Sequence, residues 1–220
     1  MNTKLMSAGL SVTALFILSG GAFAQQISSQ AQLATLLGGN ETMEDFEGNG
    51  KLGSGQITGT FLDSNSTFGG FGPGLVKPGA AYSSPGLYWN DNAYFGLNTR
   101  TLGDSSSWRG FDLTITYTQP VTAMGFDMQG YSGFTKEGSV SVYDTANHLI
   151  SSTNVDGGFF GWQATGGIGK VVVSANPNNT NSYIMIDNHG FGSAVPEPAS
   201  LAVLSLGALG MLVRRRKNRS

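Results

Sequence analysis

Cysteine is missing from the whole 220-residue chain. Disulfides, a thiolate nucleophile and zinc-thiolate sites are thereby excluded, and stability must come from a packed core. Charge is scarce as well, with Asp, Glu, Lys and Arg making up 12% of the residues. Histidine is limited to His148 and His189, so only these two can serve as an imidazole base. Half of the 12 Lys and Arg residues sit at the chain ends, which leaves 6 basic against 13 acidic residues in 25–194, a net charge of −7. That stretch lacks the clustered Lys and Arg that neutralise phosphates, so nucleic acid is not an expected partner. An acidic, sparsely charged surface suits a cation-rich extracellular setting.

What is present is most telling at the two ends. Lys4, an apolar run from Leu10 to Leu18, Gly20-Gly21 and the small-residue site Ala22-Phe23-Ala24 follow the three-part pattern of a secretory signal peptide. Residues 1–24 are therefore predicted to be removed, with cleavage after Ala24. At the other end Val195-Pro196-Glu197-Pro198 precedes an apolar stretch from Ala199 to Val213, followed by Arg214-Arg215-Arg216-Lys217-Asn218-Arg219. Fifteen residues at 1.5 Å each span roughly 22 Å as a helix, short for a permanent crossing of a core about 30 Å thick. Such a helix can hold the membrane transiently. The basic cluster resists translocation and stays cytoplasmic, which places the central region on the far side.

Pro196, Glu197 and Pro198, a short hydrophobic helix and the terminal cluster of Arg214, Arg215 and Arg216 together resemble the PEP-CTERM sorting signal. The resemblance implies recognition by an exosortase, a membrane cysteine protease that removes the tail, in bacteria that often make exopolysaccharide. The mature protein would then keep no membrane helix, as in other anchor-exchange signals. Glu44-Asp45-Phe46-Glu47-Gly48, Gln119 to Asp127 and Ile184 to Asn188 are similar, more loosely, to segments of domains common in PEP-CTERM proteins. That looser resemblance implies no catalytic residue.

Between the ends, residues 25–194 are long enough to bury roughly 70% of their unfolded surface as one domain. Ser28 or Ser29 can cap a short helix over 27–37, and Gly38-Gly39 stops it. The period then becomes two. Phe111, Leu113, Ile115 and Tyr117 alternate with Asp112, Thr114, Thr116 and Thr118, as do Met124, Phe126 and Met128 with their neighbours, and Val140 and Val142 with serines. Gln119-Pro120 is read as the turn between the first two strands. Further strands are predicted at 43–47, 56–62, 93–99, 149–153, 159–165, 170–175 and 182–187, and Gly69 to Gly86 as a long surface loop. Many short strands with turn signals predict an all-β antiparallel sandwich, jelly-roll-like, flanked by the signal helix and the C-terminal hydrophobic helix.

Several motifs carry little chemistry. Gly48-Asn49-Gly50-Lys51-Leu52-Gly53 has the glycine spacing of a dinucleotide site but lacks the flanking buried strand and helix. Gly103-Asp104-Ser105 with His148 or His189 suggests a hydrolase, yet both histidines read as turn or strand-end residues. Thr114, Thr116 and Thr118 line one strand face, which β-propensity explains without an ice-binding array. Two motifs keep functional readings. Neighbouring chain ends can bring Asp45 and Glu47 to Asp187 and Asn188, an oxygen-rich set suited to a structural Ca²⁺ ion. Trp89 and Trp108 lie among turn-forming residues, where exposed rings offer apolar plates for sugars. The expected function is thus a non-enzymatic exported protein of the cell surface or extracellular matrix, associated with exopolysaccharide or biofilm and a candidate for carbohydrate binding. Its expected partners are the exosortase-type protease and an extracellular polysaccharide; the alternative is a secreted hydrolase acting on envelope polymers.

Overall fold

The computed structural model describes residues 24–48, 57–90, 99–104, 112–130, 135–179 and 182–194. The signal segment up to residue 23 and the tail from residue 195, with the two flanking helices expected there, lie outside these residues. The described residues are all-β apart from one short helix, in the order β1 (Ala24–Ile27), α1 (Gln30–Leu37), β2 (Thr42–Glu44), β3 (Ile57–Leu62), β4 (Ala80–Asn90), β5 (Thr101–Asp104), β6 (Asp112–Gln129), β7 (Glu137–Tyr143), β8 (Leu149–Asp156), β9 (Gly158–Ala175) and β10 (Met185–Gly192). Every pairing between strands is antiparallel.

The helix follows its local signals. The Ser29 hydroxyl accepts from Gln32 N at 3.2 Å and Gly38 ends it in the left-handed region at φ 62°, the conformation a glycine reaches without a Cβ clash. Leu33 and Leu37 seat it on Ile27 and Ala123. Strand alternation holds too: Leu113, Ile115 and Tyr117 point inward, while Asp112 and Thr116 are exposed.

Three expectations change. Gln119-Pro120 is no hairpin turn, because β6 runs through it for 18 residues, and the two strands expected at 159–165 and 170–175 likewise merge into the 18-residue β9. The β6–β9 ladder breaks register twice, between Thr116 and Val121, opposite Gly169, and between Val121 and Ala123, opposite the stretch that holds Gly166 and Gly167. Proline tolerates such a break because no ladder N–H is required of it there. Nor is 69–86 all loop. Strand β4 begins at Ala80 and passes through Ser84-Pro85-Gly86, changing partner from β6 at 80–83 to β5 at 87–90. Pro85 falls at that exchange.

The registers close a circuit, β4 to β6, β6 to β10, β10 to β5 and β5 back to β4. Its interior holds Tyr82, Leu87, Trp89, Leu102, Phe126 and Ile186, all fully buried. Beyond the circuit, the first half of β6 continues through β9 and β7 to β8 as an open sheet.

Candidate functional site

That open sheet places short polar side chains in lateral rows on its outer face. Asp112 lies opposite Ser174, Ser174 opposite Ser139, and Ser139 opposite Asn154, one row across four strands. The next row runs Ser83, Thr114, Val172, Ser141, Ser152. At the end of the sheet the first row lines an open groove of about 600 Å³, with Glu137, Asn176 and Pro177 completing its walls. The Ser174 hydroxyl donates to Asp112 Oδ1 at 2.5 Å, and the amides of Asn179 and Asn176 donate to Glu137 Oε2 at 3.0 and 3.3 Å. These contacts hold both carboxylates in place. No stretch of sequence shorter than 60 residues contains this row, which is why local reading missed it.

A second polar group forms where β10 meets β6. Asp187 stands opposite Asp127, and the Asn188 amide bridges them, at 3.0 Å to Asp127 Oδ2 and 3.4 Å to Asp187 Oδ2. Burial pushes the Asp187 carboxyl up to about 6 against bonds from Asn188 N and Thr99, with Asp127 and Glu47 adding repulsion. Glu47 accepts from Thr99 Oγ1 at 3.1 Å and Arg100 N at 3.0 Å, and pairs with Arg100 Nε at 3.5 Å. The Asp45 carboxylate instead turns back on its own loop and accepts from Glu47 N. Among the described residues no three acidic or histidine side chains stand close enough to hold a metal ion. Of the expected Ca²⁺ set of Asp45, Glu47, Asp187 and Asn188, the Glu47 and Asp187 carboxylates both meet Thr99, while Asp45 faces its own loop.

His189 is not a strand-end surface residue. A bulge between Asp187 and Gly190, with Asn188 at φ 48°, shifts the side-chain alternation of β10 and turns His189 and Phe191 inward. Both ring nitrogens meet phenols, Nδ1 with Tyr82 Oη at 2.8 Å and Nε2 with Tyr117 Oη at 3.0 Å. Burial lowers the imidazole to about 3 and raises both phenols well above their ordinary value. Shut inside the core, this imidazole has no route to a substrate. His148 is exposed on the β7–β8 turn, its Nδ1 3.0 Å from Asp144 Oδ2, and among the described residues no hydroxyl bonds to its ring. The same turn bonds hold the Asp144 carboxyl below its ordinary value, chiefly the His148 N–H. Ser105 lies outside the described residues.

Trp89 also moves from surface to core. It is 1% exposed, its Nε1 donates to Phe46 O at 2.8 Å, and its ring meets Phe46 edge-on and Phe68 at a tilt. No face is free for a sugar. Trp108 lies outside the described residues. Trp162 is half-buried, its ring parallel to Phe160.

At the C-terminal end the fold holds the chain as far as Ala194, whose N–H donates to Thr122 Oγ1 at 2.5 Å. Immediately beyond come Val195, Pro196, Glu197 and Pro198. Residues 194–217 match the PEP-CTERM protein-sorting motif. The PEP-CTERM signal implies export, processing by an exosortase and a surface or extracellular location afterwards. Its residues Pro196, Glu197, Pro198, Arg214, Arg215 and Arg216 lie beyond the described structure, and among the described residues no helix is long and apolar enough to cross a membrane. No curated protein matches the chain. Among solved structures it is similar to the solution structure of CtCBM11, at 10% identity and a TM-score of 0.31, over 71% of this chain and 96% of that one.

Proposed function

We propose that the processed protein is a non-catalytic component of the cell surface or extracellular matrix, and that it binds extracellular polysaccharide along the outer face of the β6–β9–β7–β8 sheet. The row Asp112, Ser174, Ser139, Asn154 carries this reading. A carboxylate accepts two hydrogen bonds side by side and an amide both donates and accepts, the pairing that neighbouring sugar hydroxyls require. The strands fix these groups at their spacing, so little ordering entropy opposes binding. Export through the sorting signal brings the groove to where polysaccharide is found.

Affinity electrophoresis of the processed protein, purified from its host's envelope, against the host's own exopolysaccharide tests the reading. Retardation of the wild type that is lost in Asn154→Ala, with an unchanged melting temperature, is the expected outcome. Mobility unaffected by any host glycan overturns it. Among the described residues the exposed Asp144–His148 pair is what supports the hydrolase alternative, and release of reducing ends from envelope polymer, abolished in His148→Ala, would favour it instead.

A further inference from the structure

The groove has a sign. Asp112 and Glu137 line it, Asp156 stands directly opposite Glu137 on β8, and among the described residues no Lys, Arg or His lines it. The same sheet region carries two lysines. Lys136 lays its stem along Gly130 and Gly157, and the Lys170 ammonium sits 4.3 Å from the centre of the Tyr143 ring. An ionised carboxylate only accepts hydrogen bonds, so the groove asks its ligand for donors. Anionic polymers meet the like charges of Asp112 and Glu137 there.

From this charge we infer that the groove takes a hexosamine-containing glycan with free amino groups, in preference to N-acetylated, neutral or uronic-acid polymers. The inference rests on the polysaccharide reading above. The Asp112 carboxylate, aligned by the Ser174 hydroxyl, receives a sugar ammonium, and Ser139 and Asn154 bond the hydroxyls of the same chain. Four neighbouring strands about 4.8 Å apart make the row roughly 14 Å wide, room for a short run of sugar rings. The exposed Pro177 supplies an apolar surface for the C–H face of one of those rings. A charge-assisted hydrogen bond is about twice as strong as a neutral one, which makes the amine the discriminating group.

Calorimetric titration of the processed protein with a glucosamine tetramer, its fully N-acetylated counterpart, an oligogalacturonate and tetralysine tests this. The glucosamine tetramer should bind about tenfold more tightly than the acetylated one, with the oligogalacturonate silent. Asp112→Asn should remove that tenfold preference, whereas Asp144→Asn, a change of equal charge on the distant turn, should leave it intact. Equal affinity for the free and acetylated tetramers overturns amine recognition while leaving a glycan groove in place. Tetralysine bound as tightly as the glucosamine tetramer overturns the glycan class in favour of a basic peptide. An unaltered preference in Asp112→Asn overturns the assignment of the site. Absence of binding to any glycan, host exopolysaccharide included, overturns the polysaccharide reading itself.

Discussion

His189 shows how one residue couples burial to pH. Its ordinary value is 6.5 and burial lowers it to about 3, so between these values the unfolded chain binds a proton that the folded chain refuses. Stability then falls on acidification, by about 1.4 kcal/mol per pH unit for one such proton. Asp187 has the opposite sign. Raised from 3.8 to about 6, it binds its proton more readily in the folded chain, so stability from this group is present at low pH and lost as pH rises through 4 to 6. Glu44, also raised by burial despite bonds from Lys77 N and Phe46 N, works in the same direction. The opposing slopes should make urea midpoints change little from pH 6 to 4 and drop steeply below. In Asp187→Asn the drop should begin near pH 6.5, and a profile identical to the wild type would contradict this. At Trp89 the prediction is structural: Trp89→Ala should cost about 3–5 kcal/mol of unfolding free energy. Trp89→Phe, which loses the bond to Phe46 O and leaves a smaller cavity, should cost less than Trp89→Ala, about 1–3 kcal/mol. A folded, fully stable Trp89→Ala would place the indole outside the core.

Among the elements, β6 and β9 determine the form of the domain, because their shared irregularity lets each serve both the closed circuit and the open sheet. Gly167 adopts φ 85°, and a Cβ there would stand 3.1 Å from Pro120 Cβ. A β-branched residue at this position should therefore cost on the order of 1–3 kcal/mol. Neighbouring Gly166 faces open space, so Gly166→Ala should be nearly neutral. Chemical denaturation of Gly167→Val beside Gly166→Ala checks both, and equal costs would show that the bend tolerates an ordinary backbone. The inward alternation of Leu113, Ile115 and Tyr117 was readable in the sequence because it is a local, period-two property. Joining 111–118 to 124–128 in one strand was not. Gln119-Pro120 is a turn signal when read alone, and only the matching break in β9 makes it an interruption within a continuous strand. The bulge at Asn188 is similar, since a one-residue change of register reverses which side chains face the core.

For the whole molecule, the ends of the fold meet the two targeting segments with one residue shared at each end, Ala24 and Ala194. Cleavage after Ala24 leaves Gln25, Gln26 and Ile27 to pair with Gln163, Trp162 and Gly161 of β9, and Ile27 is buried. Cleavage anywhere beyond residue 194 would leave β10 and the Ala194–Thr122 bond intact. The protein recovered from the envelope of an exosortase-bearing host should begin near Gln25 and lack Arg214 to Arg219, as intact-mass measurement will show. Recovery of the full-length chain alone would contradict this.

By itself the sequence determined the destination of the protein, the absence of thiol chemistry, the short helix α1 with its Ser29 and Gly38 caps, and the alternating faces of the strands. These depend on contiguous residues and on short-range backbone preferences. Only the tertiary structure decided that Trp89 and His189 are core residues, that Asp187 faces Asp127 across an amide bridge, and that Asp112, Ser139, Asn154 and Ser174 form one row. The physical reason is that antiparallel pairing joins residues far apart in the chain, and its register, set by bulges and packing, has no local signature.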